Sequence, residues 1–365
     1  MSESVQSGAD WGVVGAADAV TTLQRMLAAD RVPHALLITG PPQVGKSRVA
    51  LGLARALNCD AASGRPCERC RACERIAAGK HADVEVVAPG GLCRVAEHDH
   101  SRSRSIGICA VRRLEMTAAM QPYEGRQRVF IVDPADALTE EAADAFLKTL
   151  EEPPAAVTFL LVTSRPALLP ETVRSRCRAL TVAPLAVADL AAWLAAEREL
   201  PEEQANMLAR MGRGRLGWVL SALAEGDPLA LRRAQTEEIR RLAAAGRAER
   251  FAHAETLAGR GADPQNALTA LAHWTDWWRD ILLVAAGSDD RILHRDQRAE
   301  LEAEARRYRA ADVCRYLMQL QRTTELLQQG VSARLALQVL LLQTPVPQEG
   351  EPVEPGGARP TQAGG

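Results

Sequence analysis

Aromatic residues are scarce: Phe, Tyr and Trp together make up 4% of the 365 residues. That argues against a surface that grips single-stranded nucleic acid by stacking bases on rings. An excess of charge is missing too. Lys+Arg 44 against Asp+Glu 46 leaves a formal net charge of −2, which excludes a polybasic nucleic-acid coat and leaves DNA contact to a local patch. No apolar run reaches the roughly 20 residues of a membrane-spanning helix, and the longest, such as Leu335–Leu342, fall well short. Residues 1–10 are polar, without the basic and apolar regions of a secretory leader. The expectation is a cytoplasmic protein with no membrane partner.

What is present is ordinary in bulk and specific in detail. A hydrophobic share of 47% and a charged share of 25% are those of a folded globular chain, and the length predicts two or three domains. Four of the eight cysteines, Cys59, Cys67, Cys70 and Cys73, crowd into one short stretch. Cytosolic thiols are normally kept reduced, so the cluster needs another purpose than disulfides. The two-residue gaps bring successive thiolates around one ion, and four sulfurs with no open position make a closed, structural site. Zinc is the expected ion; an iron–sulfur cluster takes the same ligands, and spacing alone does not exclude it. Cys93, Cys109, Cys177 and Cys314 are scattered and read as small core hydrophobes.

The first half alternates short apolar runs with amphipathic helices, the pattern of a parallel α/β sheet. Strands are predicted at Ala35–Thr39, Val84–Val87, Val129–Val132 and Val157–Val162, with helices at Ser47–Leu57 and Ala137–Leu150, the latter stopped by Pro153-Pro154. From about Leu185 strand signals vanish. Ala-, Leu- and Arg-rich helices run to about Gln343, and in one of them Trp274, Trp277, Trp278, Ile281 and Leu282 share a face, expected to pack in a core or against a subunit. The Pro- and Gly-rich residues 344–365 are expected to be disordered. Residues 90–105, which hold Cys93, His98, Asp99 and His100, read as a solvated loop rather than a second metal site.

Gly40-Pro-Pro-Gln-Val-Gly45-Lys46-Ser47 fits G-x4-G-K-[ST] between a predicted strand and a predicted helix, the context that makes the pattern a phosphate loop. Its glycines let backbone amides and the helix N-terminus face a β-phosphate. Lys46 supplies a point charge for the β/γ oxygens and Ser47 a hydroxyl for Mg²⁺. The strand Val129–Val132 leads into Asp133, a second magnesium group, but the next residue is Pro134, which has no carboxylate to orient a water. Asp136 lies in the following turn and is not assigned that role. The loop is expected to be able to hold ATP and to hydrolyse it weakly or not at all.

These residues resemble a family. The match runs from Trp11 to Gln343 and includes Arg31-Val-Pro-His-Ala, the phosphate loop, the four cysteines, Gln121-Pro-Tyr-Glu-Gly, Val129–Pro154, Leu168–Cys177 and Arg334–Leu341. The chain resembles the AAA+ clamp-loader subunits of bacterial DNA polymerase III, and among them the delta-prime branch. The resemblance implies an α/β then all-α fold in several parts. An AAA+ P-loop parallel sheet domain at 1–184 carries a four-cysteine zinc module at 59–73. A small helical lid domain follows at 185–226, a C-terminal helical collar domain at 227–343 and a tail at 344–365. It also implies partners: gamma/tau and delta subunits, a sliding clamp and primer-template DNA. Ser175-Arg176-Cys177 is similar to the triplet that offers an arginine finger to ATP on a neighbouring subunit, giving Arg176 that role. Thr163 and Ser164 fall at the sensor-1 position, and Arg215 roughly matches the sensor-2 region. Pro134 points away from the gamma/tau-like ATPase motor, the alternative, and toward a stator. The first cysteine gap is seven residues where the family pattern has eight.

Overall fold

The computed structural model describes residues 11–91 and 103–348. The chain separates into two compact units, residues 1–224 and 225–365.

In the first unit, α1 (Ala17–Ala28) leads into β1 (Ala35–Thr39), then α2 (Lys46–Asn58) and α3 (Arg71–Ala77). β2 (Val84–Val87), α4 (Ile108–Ala118), β3 (Arg128–Val132), α5 (Glu140–Glu151), β4 (Val157–Thr163), α6 (Glu171–Arg174) and β5 (Arg178–Thr181) follow. All strands are parallel, in the order β2-β3-β4-β1-β5. Side chains on a strand alternate between faces. Leu36, Ile38, Val129, Ile131, Leu160 and Val162 therefore join one core with α1 and α2, while Leu37, Phe130, Val132, Phe159 and Leu161 join another with α4 and α5. Phe159 stacks on Phe130 at 5.7 Å and meets Phe146 of α5 edge-on at 5.2 Å. Thr139 caps α5 by accepting from the Ala142 amide at 3.2 Å. Three helices close this unit, α7 (Val187–Arg198), α8 (Glu202–Met211) and α9 (Leu216–Glu225).

Four strands fall where periodicity predicts them, within one residue at each end. The fifth has no sequence signal, because only Leu180 of its four residues is buried and no apolar run forms.

The second unit holds α10 (Pro228–Ala244), α11 (Arg247–Ala258), α12 (Pro264–Ala285), α13 (Arg298–Ala305), α14 (Ala310–Gln328) and α15 (Ala333–Leu342). The tryptophan face lies inside it. Trp274, Trp277 and Trp278 are all at most 4% exposed, and Trp278 sits edge-on to Tyr308 and Tyr316 at 5.0 and 5.4 Å. Of the two expectations for those tryptophans, an internal core is what forms. Asp280 beneath them is fully buried and takes the amides of Leu293 and His294 together with the His294 ring. Cys314 corrects the reading of the scattered cysteines as core residues. It is exposed, because it sits on α14 between the inward positions Val313 and Tyr316. Cys93, His98, Asp99 and His100 lie outside the described residues, as do positions 349–365 of the expected tail.

Candidate functional site

In an open α/β sheet, ligands gather beyond the carboxyl ends of the strands. Here β1, β3 and β4 end around a cavity of about 330 Å³ whose lining includes Gly45, Lys46, Ser47, Arg48, Asp133, Pro134, Thr163 and Ser164. Gly40 leaves β1 at φ +144, and a Cβ there would stand 2.2 Å from the Val182 carbonyl, so only glycine fits. Gly45, at φ +97, turns the chain into α2. Lys46 reaches back across the loop and donates to the Gly40 carbonyl at 2.9 Å, the Pro41 carbonyl at 2.7 Å and the Ser164 hydroxyl at 2.8 Å. Burial pulls its pKa below the ordinary lysine value, and Asp133 and Asp136 partly offset that. Ser47 donates to Asp133 at 2.5 Å. The structure thus brings Gly45, Lys46, Ser47, Asp133 and Thr163 to one cavity, with Gly40 holding the lysine from behind.

Asp136 is occupied. One oxygen accepts from Thr163 at 2.6 Å and the other from two nitrogens of Arg165 at 2.9 and 2.7 Å. A carboxylate held in that way serves as an anchor for the end of β4. Pro134 lines the cavity itself.

Sequence reasoning missed Gly217. Its amide donates to the Gln43 carbonyl at 3.0 Å, and a Cβ there would come within 2.6 Å of that oxygen, so α9 can approach the phosphate loop only through glycine. The run Gly212-Arg-Gly-Arg-Leu-Gly was the available signal. Arg215 donates its Nε to Gly212 at 2.9 Å and is not among the residues lining the cavity.

Arg176 does not line it either. It follows α6, in a turn fixed on one side by buried Val173 and on the other by Cys177, which packs against the α4–α5 core. Burial pushes the Cys177 thiol up to about 12, so it stays protonated and acts as a hydrophobe. Between these anchors the Arg176 side chain is about a third exposed and folds onto its own chain. It donates Nε to Glu151 at 2.8 Å, Nη2 to the same oxygen, and Nη1 to the Thr172 carbonyl at 2.9 Å.

The four cysteines converge. Cys59 follows α2, Cys70 caps α3, and all four Sγ atoms lie within 4.8 Å of one another. A four-thiolate ion with metal–sulfur bonds of about 2.3 Å places its sulfurs roughly 3.8 Å apart, so small adjustments complete the set. The Cys67 amide donates to Cys59 Sγ at 3.3 Å and the Cys73 amide to Cys70 Sγ at 3.5 Å, bonds that favour thiolates. Burial raises the pKa of Cys59 and of Cys73, whereas the Arg69 amide foremost holds Cys67 down to about 7. The seven-residue gap costs no ligand.

A second arrangement had no sequence signature. Buried Asp83 accepts the amides of Tyr123, Glu124 and Gly125, each at 2.8 Å, and pairs with Arg128 at 3.0 Å. Burial alone would raise its pKa, but those amides and Arg128 outweigh it and hold the carboxyl below its ordinary range. Asn58, next to the first cysteine, accepts the amides of Arg126 and Gln127 at 2.8 and 3.0 Å. A Cβ on Gly125 would reach 2.5 Å from the Asn58 oxygen. The four-cysteine segment and the loop before β3 are therefore braced through neighbouring residues.

With this geometry in place, comparison with known proteins gives a consistent picture over the first half of the chain. Residues 15–186 match the family described as DNA polymerase III, delta subunit. The chain is 36% identical over 202 residues to the DNA polymerase III subunit delta' of Escherichia coli K12, covering 54% of this chain and 57% of the relative. It is 33% identical over 189 residues to subunit delta' of Bacillus subtilis 168, covering 52% and 54%. Against subunit tau of Escherichia coli K12 it is 33% identical over 227 residues, covering 59% and 33%. The match thus spans little more than half the length of the delta' relatives.

Proposed function

From a first half that is delta-prime-like and related to tau, we propose that this chain is the stator of a DNA polymerase III clamp loader. It gives Arg176 in trans to ATP on an adjacent subunit during ATP-dependent loading of a sliding clamp onto primed DNA. The observation that carries the reading is Pro134 at the wall of a formed phosphate cradle, with Asp136 held by Arg165 and Thr163. Among the described residues, a cradle so furnished has groups to hold nucleotide and no carboxylate beside Asp133 free to activate water. Lys46 would exchange the Gly40 and Pro41 carbonyls for β/γ oxygens, and Ser47 and Asp133 would hold Mg²⁺. The place of Arg176 outside its own cavity, with about a third of its side chain exposed, supports donation to a neighbour.

Residues 1–184 form the P-loop domain, 185–226 the lid and 227–343 the collar. On α15, Leu335, Val339 and Leu342 are exposed at helical spacing opposite the buried Leu337, Leu340 and Leu341, an apolar stripe suited to a collar neighbour. Cys59, Cys67, Cys70 and Cys73 hold structural zinc. The partners are tau-type and delta-type subunits, the clamp and primer-template DNA, in the cytoplasm; among the described residues no helix is long and apolar enough to cross a membrane.

Reconstitution tests the reading. Mixed with tau-type and delta-type subunits, the purified chain should enter one stable assembly and be required for clamp loading on a primed circle. A chain that stays out of the assembly, or whose omission leaves loading unchanged, contradicts the stator role. Loading by this chain and a delta-type subunit alone would favour the tau-like motor.

A further inference from the structure

We propose that Glu151 is a positioning residue for Arg176, holding the guanidinium on its own chain until a phosphate on the neighbouring subunit displaces it. This rests on the trans role of Arg176 argued above. Three of the guanidinium's nitrogens are engaged within the chain, two on one Glu151 oxygen and one on the Thr172 carbonyl. Glu151 is the last residue of α5. A carboxylate there faces the negative end of the helix dipole and is disfavoured unless a cation answers it. Arg176 is that cation. The pair is accessible, with the two side chains 34% and 50% exposed, so it opens readily.

Exposed ion pairs are weak, whereas a terminal phosphate offers more charge and more acceptors to the same planar fork. A nucleoside triphosphate on the adjacent subunit would therefore win the guanidinium from Glu151. Without it, most Arg176 side chains stay held, and the apparent efficiency of the adjacent site falls by the fraction of free fingers. For an exposed pair that fraction corresponds to about a two- to fivefold effect.

The test is a double-mutant cycle in the assembled loader, reading kcat/KM for ATP at the site facing Arg176. Glu151→Gln, with Glu151→Ala as a second variant, should raise kcat/KM about two- to fivefold. Neither should change it once Arg176 is Ala, a dependence that a merely structural role for Glu151 would not produce. Unchanged or lowered kcat/KM in the Glu151 variants, while Arg176→Ala still loses activity, overturns this inference and leaves the trans finger standing. If Arg176→Ala itself has no effect, the trans finger fails and this inference falls with it.

Discussion

Under the proposed trans role, Arg176→Ala should lower ATP turnover at the adjoining site by about 10³-fold or more, while the chain folds and assembles as before. The size follows from what a planar, permanently charged fork does for a transferring phosphoryl group: it meets charge that develops in the transition state. Folding survives because the side chain contributes one accessible ion pair with Glu151, worth about 0–1 kcal/mol, and one hydrogen bond to the Thr172 carbonyl of the preceding helix. The turn is held by Val173 and Cys177 instead. The measurement is single-turnover hydrolysis in a loader whose other sites are silenced at their phosphate-loop lysines. Arg176→Lys keeps the charge but loses the fork, so it should recover only part of the rate. Full turnover in the Ala variant would remove the residue from the mechanism.

Cys73→Ser should release the metal and lower the thermal midpoint of the first unit by about 8–16 °C. A closed zinc site supplies roughly 10–16 kcal/mol of apparent binding energy in small zinc modules. Even a third of that, about 4 kcal/mol, moves a unit of this size by about 2–4 °C per kcal/mol. The loss propagates because Cys59 adjoins Asn58, whose side-chain Oδ1 accepts the amides of Arg126 and Gln127. Metal analysis and calorimetry check both halves, with Cys314→Ser, an exposed thiol outside the cluster, as the control. One zinc per chain is expected in the wild type. A purified chain with iron, or a Cys73→Ser variant that keeps its metal and midpoint, contradicts the assignment.

The sequence carried those parts of the site whose chemistry is local. The phosphate loop is readable because glycine geometry, a lysine and a hydroxyl must sit within eight positions, and the cysteine cluster because gaps of two residues suit one ion. β1, β3 and β4 are readable because they are buried almost throughout and read as apolar runs, and β2 through its three valines, although only Val87 is buried. β5 is not, since Arg178-Ala-Leu-Thr181 holds one large apolar residue and no β-branched apolar side chain. Arrangements made by distant residues were invisible for the same reason. Nothing near Asp83 announces that it will gather amides some 40 positions on, and nothing near Asp136 announces Arg165 and Thr163. Glu151 lies inside a stretch already singled out, yet its partner is known only once α5 and the turn after α6 are side by side.

Pro134 is the residue on which the proposed stator role depends. Where a hydrolysing relative needs a carboxylate beside its magnesium aspartate, this chain has a ring, and the nearest alternative acid is engaged. Steady-state ATP turnover of the purified chain alone, beside Lys46→Ala, tests that most directly. The expected result is no turnover above background and no difference between the two proteins. Turnover of about 1 s⁻¹ or faster, in the range of ordinary enzymes and abolished by Lys46→Ala, would make the chain a motor and contradict the account.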